Sequence, residues 1–233
     1  MLGSVATIET LTSVDGPGIR TIVFLSGCKK RCLYCHNPEM FQSSKPNYKG
    51  SDLANKLLRY KNYFTRGGGI TFSGGEPLLQ TDFLIEVCKI LKKENIHIAI
   101  DTAGDFTGNI QELLKYVDLI ILDIKHIHSK EYEFLTKSKM KKVEEFIHII
   151  NQTNIQVSLR QVIIPNFNDN LKYLKSLKEY IKRIKNKTDM TFLPYHKLGS
   201  EKYLELNINN PMEEVDEMDK KKCQELYEKF LKL

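Results

Sequence analysis

The sequence predicts an α/β fold on a parallel sheet, either a partial, open (β/α)6 barrel or a doubly wound sheet. Three observations point there. Short β-branched apolar runs alternate with amphipathic stretches along the whole chain, the pattern of repeated βαβ units with right-handed crossovers. Six such core strands are present, too few for a closed eight-fold barrel. No repeat, low-complexity linker or composition break divides the 233 residues, so a single domain over residues 1–233 is expected.

The elements follow in order. Residues 21–25 are a β-branched run that leads into a cysteine-rich loop. Residues 51–64 open with Ser51-Asp52 as an N-cap and space Leu53, Leu57, Tyr60 and Phe64 as one helical face. After the breaker Gly67-Gly68-Gly69, residues 69–73 read as a strand. An amphipathic helix is expected over 82–93, a strand over 97–101, a helix over 110–116 and a strand over 119–123. Next come a helix over 143–153 and a strand over 156–164. A long helix over 168–185 carries Leu171, Leu174, Leu177, Ile181 and Ile184 on one face. Residues 190–194 form the last core strand, and a charged helix over 211–233 closes the chain.

Composition narrows the function classes. The chain is 41% hydrophobic and 27% charged, with 35 basic against 29 acidic residues and a net charge of +6. No run approaches the ~20 apolar residues of a membrane span. The start, Met1-Leu2-Gly3-Ser4-Val5, lacks the basic and apolar blocks of a signal peptide, so a cytoplasmic protein is expected. Lysine runs at 137–142 and 182–187, and the spacing of Lys172, Lys175, Lys178, Lys182 and Lys185, read as solvated helix faces. Arginines and aromatics are not interleaved with them, so no nucleic-acid partner is expected.

Five cysteines are an odd number, and three fall within eight residues. That is a metal or catalytic cluster, not a disulfide framework. Cys88 shares a face with Phe83, Leu84, Val87, Ile90 and Leu91, and Cys223 lies among Leu226, Tyr227 and Phe230. Both read as small core hydrophobes. The cluster is Cys28-Lys29-Lys30-Arg31-Cys32-Leu33-Tyr34-Cys35, directly after a strand and the turn Ser26-Gly27. Three thiolates on a tight loop can hold three irons of a cubane and leave the fourth open, where four cysteines would close it for plain electron transfer. An open position is what makes a metal site catalytic. A zinc site would need a fourth ligand, and His36 follows Cys35 too closely for the usual spacing. The segment Cys32–His36 also matches the c-type haem attachment motif, which belongs to exported proteins. A redox pair at Cys32 and Cys35 would leave Cys28 unexplained.

The motif, with Tyr34 as its aromatic, resembles the signature of the radical S-adenosylmethionine (SAM) superfamily. Asp15-Gly16-Pro17-Gly18-Ile19-Arg20 and the stretch from Cys28 to Asn37 resemble the glycyl-radical-enzyme activases in particular, above all those that act on pyruvate formate-lyase. Further blocks continue the likeness in order at 67–77, 101–102, 118–125, 160–165 and 193–199. The resemblance implies the partial (β/α)6 barrel with outer helices. It also implies one 4Fe–4S cluster on Cys28, Cys32 and Cys35, since no cysteine lies between Cys35 and Cys88 to hold a second.

Ser73-Gly74-Gly75-Glu76-Pro77 follows a strand, where absent side chains let a ligand approach the backbone. Asp123 and Lys125 are two apart at a strand end and share a face. Asp101 ends the strand before, and His196 follows the last one. Parallel sheets place their sites at such ends. By resemblance, Tyr34, Cys35, His36, Gly75, Asp123, Ile124, Lys125 and His196 contact SAM, and Asp101, Thr102 and Asp123 hold a monovalent cation. Arg160 is either a further contact for the polar end of SAM or an ordinary strand ion pair. One departure is Ala103, where the activases carry asparagine in Asp-Thr-Asn-Gly.

The implied reaction is reductive cleavage of SAM at the cluster, giving a 5′-deoxyadenosyl radical that removes a Cα hydrogen from a glycine of pyruvate formate-lyase or a related glycyl radical enzyme. A flavodoxin or ferredoxin would supply the electron, and the enzyme would act as a monomer. Asp15 is expected at the barrel mouth as a contact for the target loop, with turn capping as the plainer role. Two other readings stay open: radical SAM chemistry on another substrate, and a non-catalytic iron–sulfur electron carrier.

Overall fold

The computed structural model describes residues 1–65 and 67–233. A two-residue strand β1 (Leu2–Gly3) precedes β2 (Val5–Thr12) and β3 (Arg20–Leu25), and β4 (Tyr48–Lys49) pairs back antiparallel to β1. Helix α1 (Gly50–Leu58), β5 (Gly69–Gly74), α2 (Thr81–Lys93), β6 (His97–Thr102), α3 (Ile110–Leu114) and β7 (Leu119–Asp123) continue the alternation. Then come α4 (Ser129–Thr136), α5 (Lys141–Ile150), β8 (Gln156–Ile163), α6 (Leu171–Ile181), β9 (Lys187–Pro194), α7 (Ser200–Glu205) and α8 (Lys220–Lys232).

Seven strands form one sheet in the order β2-β3-β5-β6-β7-β8-β9. From β3 to β9 every pair is parallel, and β2 is antiparallel at the edge. The order never reverses. A doubly wound sheet needs a reversal, so the sheet is wound in one direction as the partial six-stranded barrel. Its central strands are apolar on both faces, as parallel strands covered by helices must be: in β7, Leu119, Ile120, Ile121 and Leu122 are all buried.

Several boundaries differ from expectation, each for a local reason. Helix α1 begins at Gly50 and stops at Leu58, so Ser51 lies inside it, its N–H donated to Glu86. Helix α6 starts at Leu171 because the Asn170 side chain caps it, accepting from Tyr173 N. Asn168 is instead a buried brace that accepts from Ile164 N and donates to Val162 O. Leu171 is exposed at the start of α6, whereas Leu174, Leu177, Ile181 and Ile184 are buried. The closing helix is shorter than expected: Asp219 caps it at Lys220, and the preceding stretch is irregular chain pinned by buried Met212 and Met218. Strand β2 and helices α4 and α7 carry weak patterns and escape the sequence reading; β2 is mostly exposed on both faces. Cys88 and Cys223 are buried core residues as expected.

Candidate active site

The strand ends meet around one cavity of about 1080 Å³. The cysteine loop forms one wall: Cys28, Cys32 and Cys35 all line the cavity, partly buried and free of disulfides. Backbone geometry sets the loop. Cys35 N donates to Cys32 O at 3.1 Å, closing the turn between those thiols. Arg31 N and Leu33 N donate to Thr136 O and Leu135 O, so the end of α4 anchors the loop from outside. Arg31 turns its guanidinium back onto Cys28 O, Lys30 O and Phe41 O.

The segment after β5 packs directly on this loop. Gly75 N donates to Leu25 O and Glu76 N to Gly27 O, both at 2.9 Å. A Cβ on Gly75 would collide with Gly27 O and sit 3.3 Å from Cys28 Cβ, so only glycine keeps this wall open. Glu76 turns away from the cavity. It is 1% exposed, and its carboxylate accepts from Thr102 Oγ1 (2.5 Å), Ala103 N (3.0 Å) and Leu78 N (3.3 Å). Burial pushes its pKa up, and the Lys30 charge pulls against that. Glu76 thus ties the end of β5 to the end of β6. At position 103 the backbone N–H makes this tie, so it survives the alanine.

The opposite wall carries charges. Asp123 and Arg160 are register partners on β7 and β8. Lys125 Nζ lies 2.7 Å from Asp123 Oδ2 and 5.5 Å from the centre of the Tyr34 ring. Burial disfavours the Lys125 ammonium, but Asp123, Tyr34 and Cys32 outweigh it and hold its pKa well above the ordinary value. Asp101 Oδ2 accepts from Ser73 Oγ at 2.8 Å and lies 3.9 Å from Arg160 Nη1. Burial first, then the Asp123 charge, pushes Asp101 up. The His36 and His196 rings stack with centroids 4.1 Å apart, and both line the cavity. Burial and then His196 lower the His36 pKa.

The structure therefore brings Tyr34, Cys35, His36, Gly75, Asp101, Thr102, Asp123, Lys125 and His196 to one cavity. Ile124 does not join them: it is 2% exposed and packed in the core. Thr102 gives its hydroxyl to Glu76. Arg160 makes the ion pair, 2.6 Å from Asp15 Oδ1. Asp15 does line the cavity, but it belongs to the β2–β3 connection, at the strand-start end of the barrel and opposite the cysteine loop. Its backbone carbonyl is held by Thr71 Oγ1 and its carboxylate by Arg160.

Sequence reasoning missed Lys30, whose two neighbouring cations hide it, and residues 217–220, which reach the cavity just before α8. Gly199 is a further close approach: a Cβ there would lie 2.8 Å from His36 Cα. Its place at the end of the 193–199 block was the available signal.

Three free thiols facing a large cavity fit a multi-iron group. Burial pushes the Cys28 and Cys35 thiols up to about 11, and the Cys32 thiol up as well. They favour ionisation only when bound iron supplies the opposing charge. Among the described residues, no three His, Cys, Asp or Glu side chains converge as a site for a single metal ion.

Comparisons with known proteins agree. The Radical SAM superfamily profile matches residues 22–177. The chain is 43% identical over 234 residues to a pyruvate formate-lyase-activating enzyme of Clostridium pasteurianum, covering 100% of this chain and 98% of the relative. It is 37% identical to the same-named protein of Staphylococcus epidermidis, over 97% of this chain and 94% of the relative. Among solved structures, a domain of pyruvate-formate lyase-activating enzyme from Bacteroides vulgatus superposes with a TM-score of 0.56 at 21% identity, covering 71% of this chain and 94% of that one. A radical SAM methyltransferase from Sphaerobacter thermophilus gives a TM-score of 0.63 at 15% identity, covering 91% of this chain and 63% of that one.

Proposed function

Since the chain belongs to the radical SAM superfamily, and within it to the pyruvate formate-lyase-activating enzymes, we propose that it installs the glycyl radical of pyruvate formate-lyase or a related glycyl radical enzyme. Its cofactors are one 4Fe–4S cluster and SAM. The observation that carries the reading is a single cavity lined by the three loop cysteines on one side and by Asp101, Asp123 and Lys125 on the other.

Cys28, Cys32 and Cys35 would hold the cluster. When bound, cluster and SAM together supply a one-electron, carbon-centred hydrogen abstraction. The protein's part is to bind, orient and shield. Gly75 lets the polar head of SAM approach the backbone beside Cys28, with Lys125 offered to a carboxylate and Asp123 to an ammonium. The stacked His36 and His196 rings give a flat surface beside the cysteine loop, and buried Tyr34, under Lys125, would help to exclude water. A monovalent cation near Asp101 and Asp123 would relieve the repulsion that raises Asp101.

Further parts of the proposal are a single domain, action as a monomer in the cytoplasm, and a flavodoxin or ferredoxin as electron donor. Among the described residues no helix is long and apolar enough to cross a membrane. Asp15 as a contact for the target loop is part of the proposal too: it lines the cavity, and its carboxylate is held by Arg160.

The test is anaerobic reconstitution with iron and sulfide, reduction in the presence of SAM, and addition of pyruvate formate-lyase. The expected result is 5′-deoxyadenosine together with a glycyl radical signal by electron paramagnetic resonance (EPR). A fully iron-loaded protein that leaves SAM intact would overturn the proposal.

A further inference from the structure

Three consecutive cations stand between Cys28 and Cys32, and the fold treats them differently. Lys29 and Arg31 are exposed. Lys30 is 3% exposed and lines the cavity together with Cys28, Cys32 and Cys35. Its ammonium lies 3.5 Å from Asp105 Oδ2, in the loop after β6. Among the described residues it makes no hydrogen bond to a protein group and no other ion pair. Glu76, its other buried acidic neighbour, already has three donors on its carboxylate. Neither Asp105 nor Glu76 lines the cavity, so Lys30 is the member of this buried charge group that faces it.

A buried ammonium is kept only where an opposing charge stabilises it. A single carboxylate oxygen at 3.5 Å, with Glu76 taken up by its own three donors, leaves the three ammonium donors short of partners. The negative charge of a thiolate-bound iron–sulfur cluster would complete the set, and added charge in a low-dielectric wall acts strongly on its neighbours. Resting on the reading that these thiolates hold a 4Fe–4S cluster, we propose that Lys30 raises the reduction potential of that cluster by offsetting the charge of the added electron. The step is a one-electron reduction by an external one-electron donor, with no proton taken up. Cluster potentials follow net charge, hydrogen bonds to sulfur and exposure, and Lys30 acts on the first of these. It is a positioning residue for charge, not a catalytic one.

The experiment compares wild type, Lys30→Met, Lys30→Arg and Lys29→Met, each reconstituted anaerobically without SAM. Each is titrated with dithionite and mediators while the reduced cluster is followed by EPR. Lys30→Met should be at least tenfold harder to reduce at a set potential, a fall of about 59 mV or more for a one-electron couple. Lys30→Arg should stay near wild type, as should Lys29→Met, whose charge is screened by solvent. An unchanged midpoint in iron-loaded Lys30→Met overturns the proposal, as does an equal fall in Lys29→Met or Lys30→Arg. If Lys30→Met holds no iron, Asp105→Asn decides. Removing that anion leaves the ammonium unopposed, so the midpoint should rise. No rise, or loss of iron here too, would assign the pair to loop folding and overturn the proposal. A wild-type protein that takes up no cluster would instead refute the underlying reading of the site.

Discussion

Glu76→Ala removes the carboxylate that ties the end of β5 to the end of β6. The carboxylate satisfies three donors, Thr102 Oγ1, Ala103 N and Leu78 N, at a site 1% exposed. Leaving a buried donor without a partner costs about 1–3 kcal/mol. Three of them, with some readmission of water, give about 3–5 kcal/mol, a large part of the ~5–15 kcal/mol by which a domain is stable. With a urea slope of about 2–3 kcal/mol per molar, the midpoint should fall by about 1–2 M. The assay is anaerobic urea denaturation followed by circular dichroism, with iron loading measured beside it. Glu76→Gln adds a sign test. The folded-state pKa of Glu76 is raised, chiefly by burial. Its protonation therefore contributes stability that is fully present below the unfolded pKa of about 4.3 and lost as pH rises through the raised folded value. The stability of wild type relative to Glu76→Gln should fall with rising pH across that window. A cost under about 1 kcal/mol for Glu76→Ala, or a pH trend of opposite sign, would refute the account of Glu76 as the tie between β5 and β6.

Other substitutions separate the parts of the site. Cys28→Ala, Cys32→Ala and Cys35→Ala should each abolish iron loading and SAM cleavage, while Cys88→Ala keeps both at a packing cost of about 1–2 kcal/mol; iron analysis that reverses this order means the wrong trio was chosen. Gly199 has a φ of −83°, ordinary for any residue, so Gly199→Val tests contact alone: overpacking against His36 should cost about 1–3 kcal/mol and lower iron loading, and normal loading and stability would refute the close approach. Asp15→Asn should free Arg160 and weaken SAM binding about tenfold, about 1.4 kcal/mol. If calorimetry finds SAM affinity unchanged while the glycyl radical yield falls, Asp15 serves the target after all.

What the sequence makes legible here is what depends on near neighbours. The cysteine loop is read from eight adjacent residues, and the core strands from apolar runs with both faces buried. Strand β2 is not, because only Val5 of its eight residues is buried; its place comes from pairing with β3, a long-range fact. The expected helix over 211–233 has helical composition throughout, yet Asp219 caps it late and Met212 and Met218 hold the first part against the barrel. Lys29, Lys30 and Arg31 are chemically alike in sequence, and only the docking of the loop on α4 decides which one turns inward. Asp15 lies close to the cysteine loop in sequence with a whole strand between them; the fold still brings both to one cavity, where Arg160 holds the Asp15 carboxylate, a pairing that only the long-range contact of β8 reveals.

The charged wall also says which kind of ligand suits it. Lys125 is paired with Asp123, and Arg160 lies between Asp15 and Asp101. A ligand bringing a single charge would break one of these pairs and strand its partner in a poorly solvated wall, which is costly. A ligand carrying an ammonium and a carboxylate on one carbon can enter the Lys125–Asp123 pair and exchange partners, leaving no charge alone. The amino-acid end of SAM has that form. Asp101 is the remaining imbalance. Its carboxylate has Ser73 as a donor and Arg160 only at 3.9 Å, while burial and the Asp123 charge raise its pKa. A monovalent cation would stabilise both carboxylates at once, whereas a proton on Asp101 would quench only one of them. Potassium or sodium should therefore strengthen SAM binding most where Asp101 is ionised, and Asp101→Asn should remove that dependence. Equal salt responses in wild type and Asp101→Asn would place the cation elsewhere.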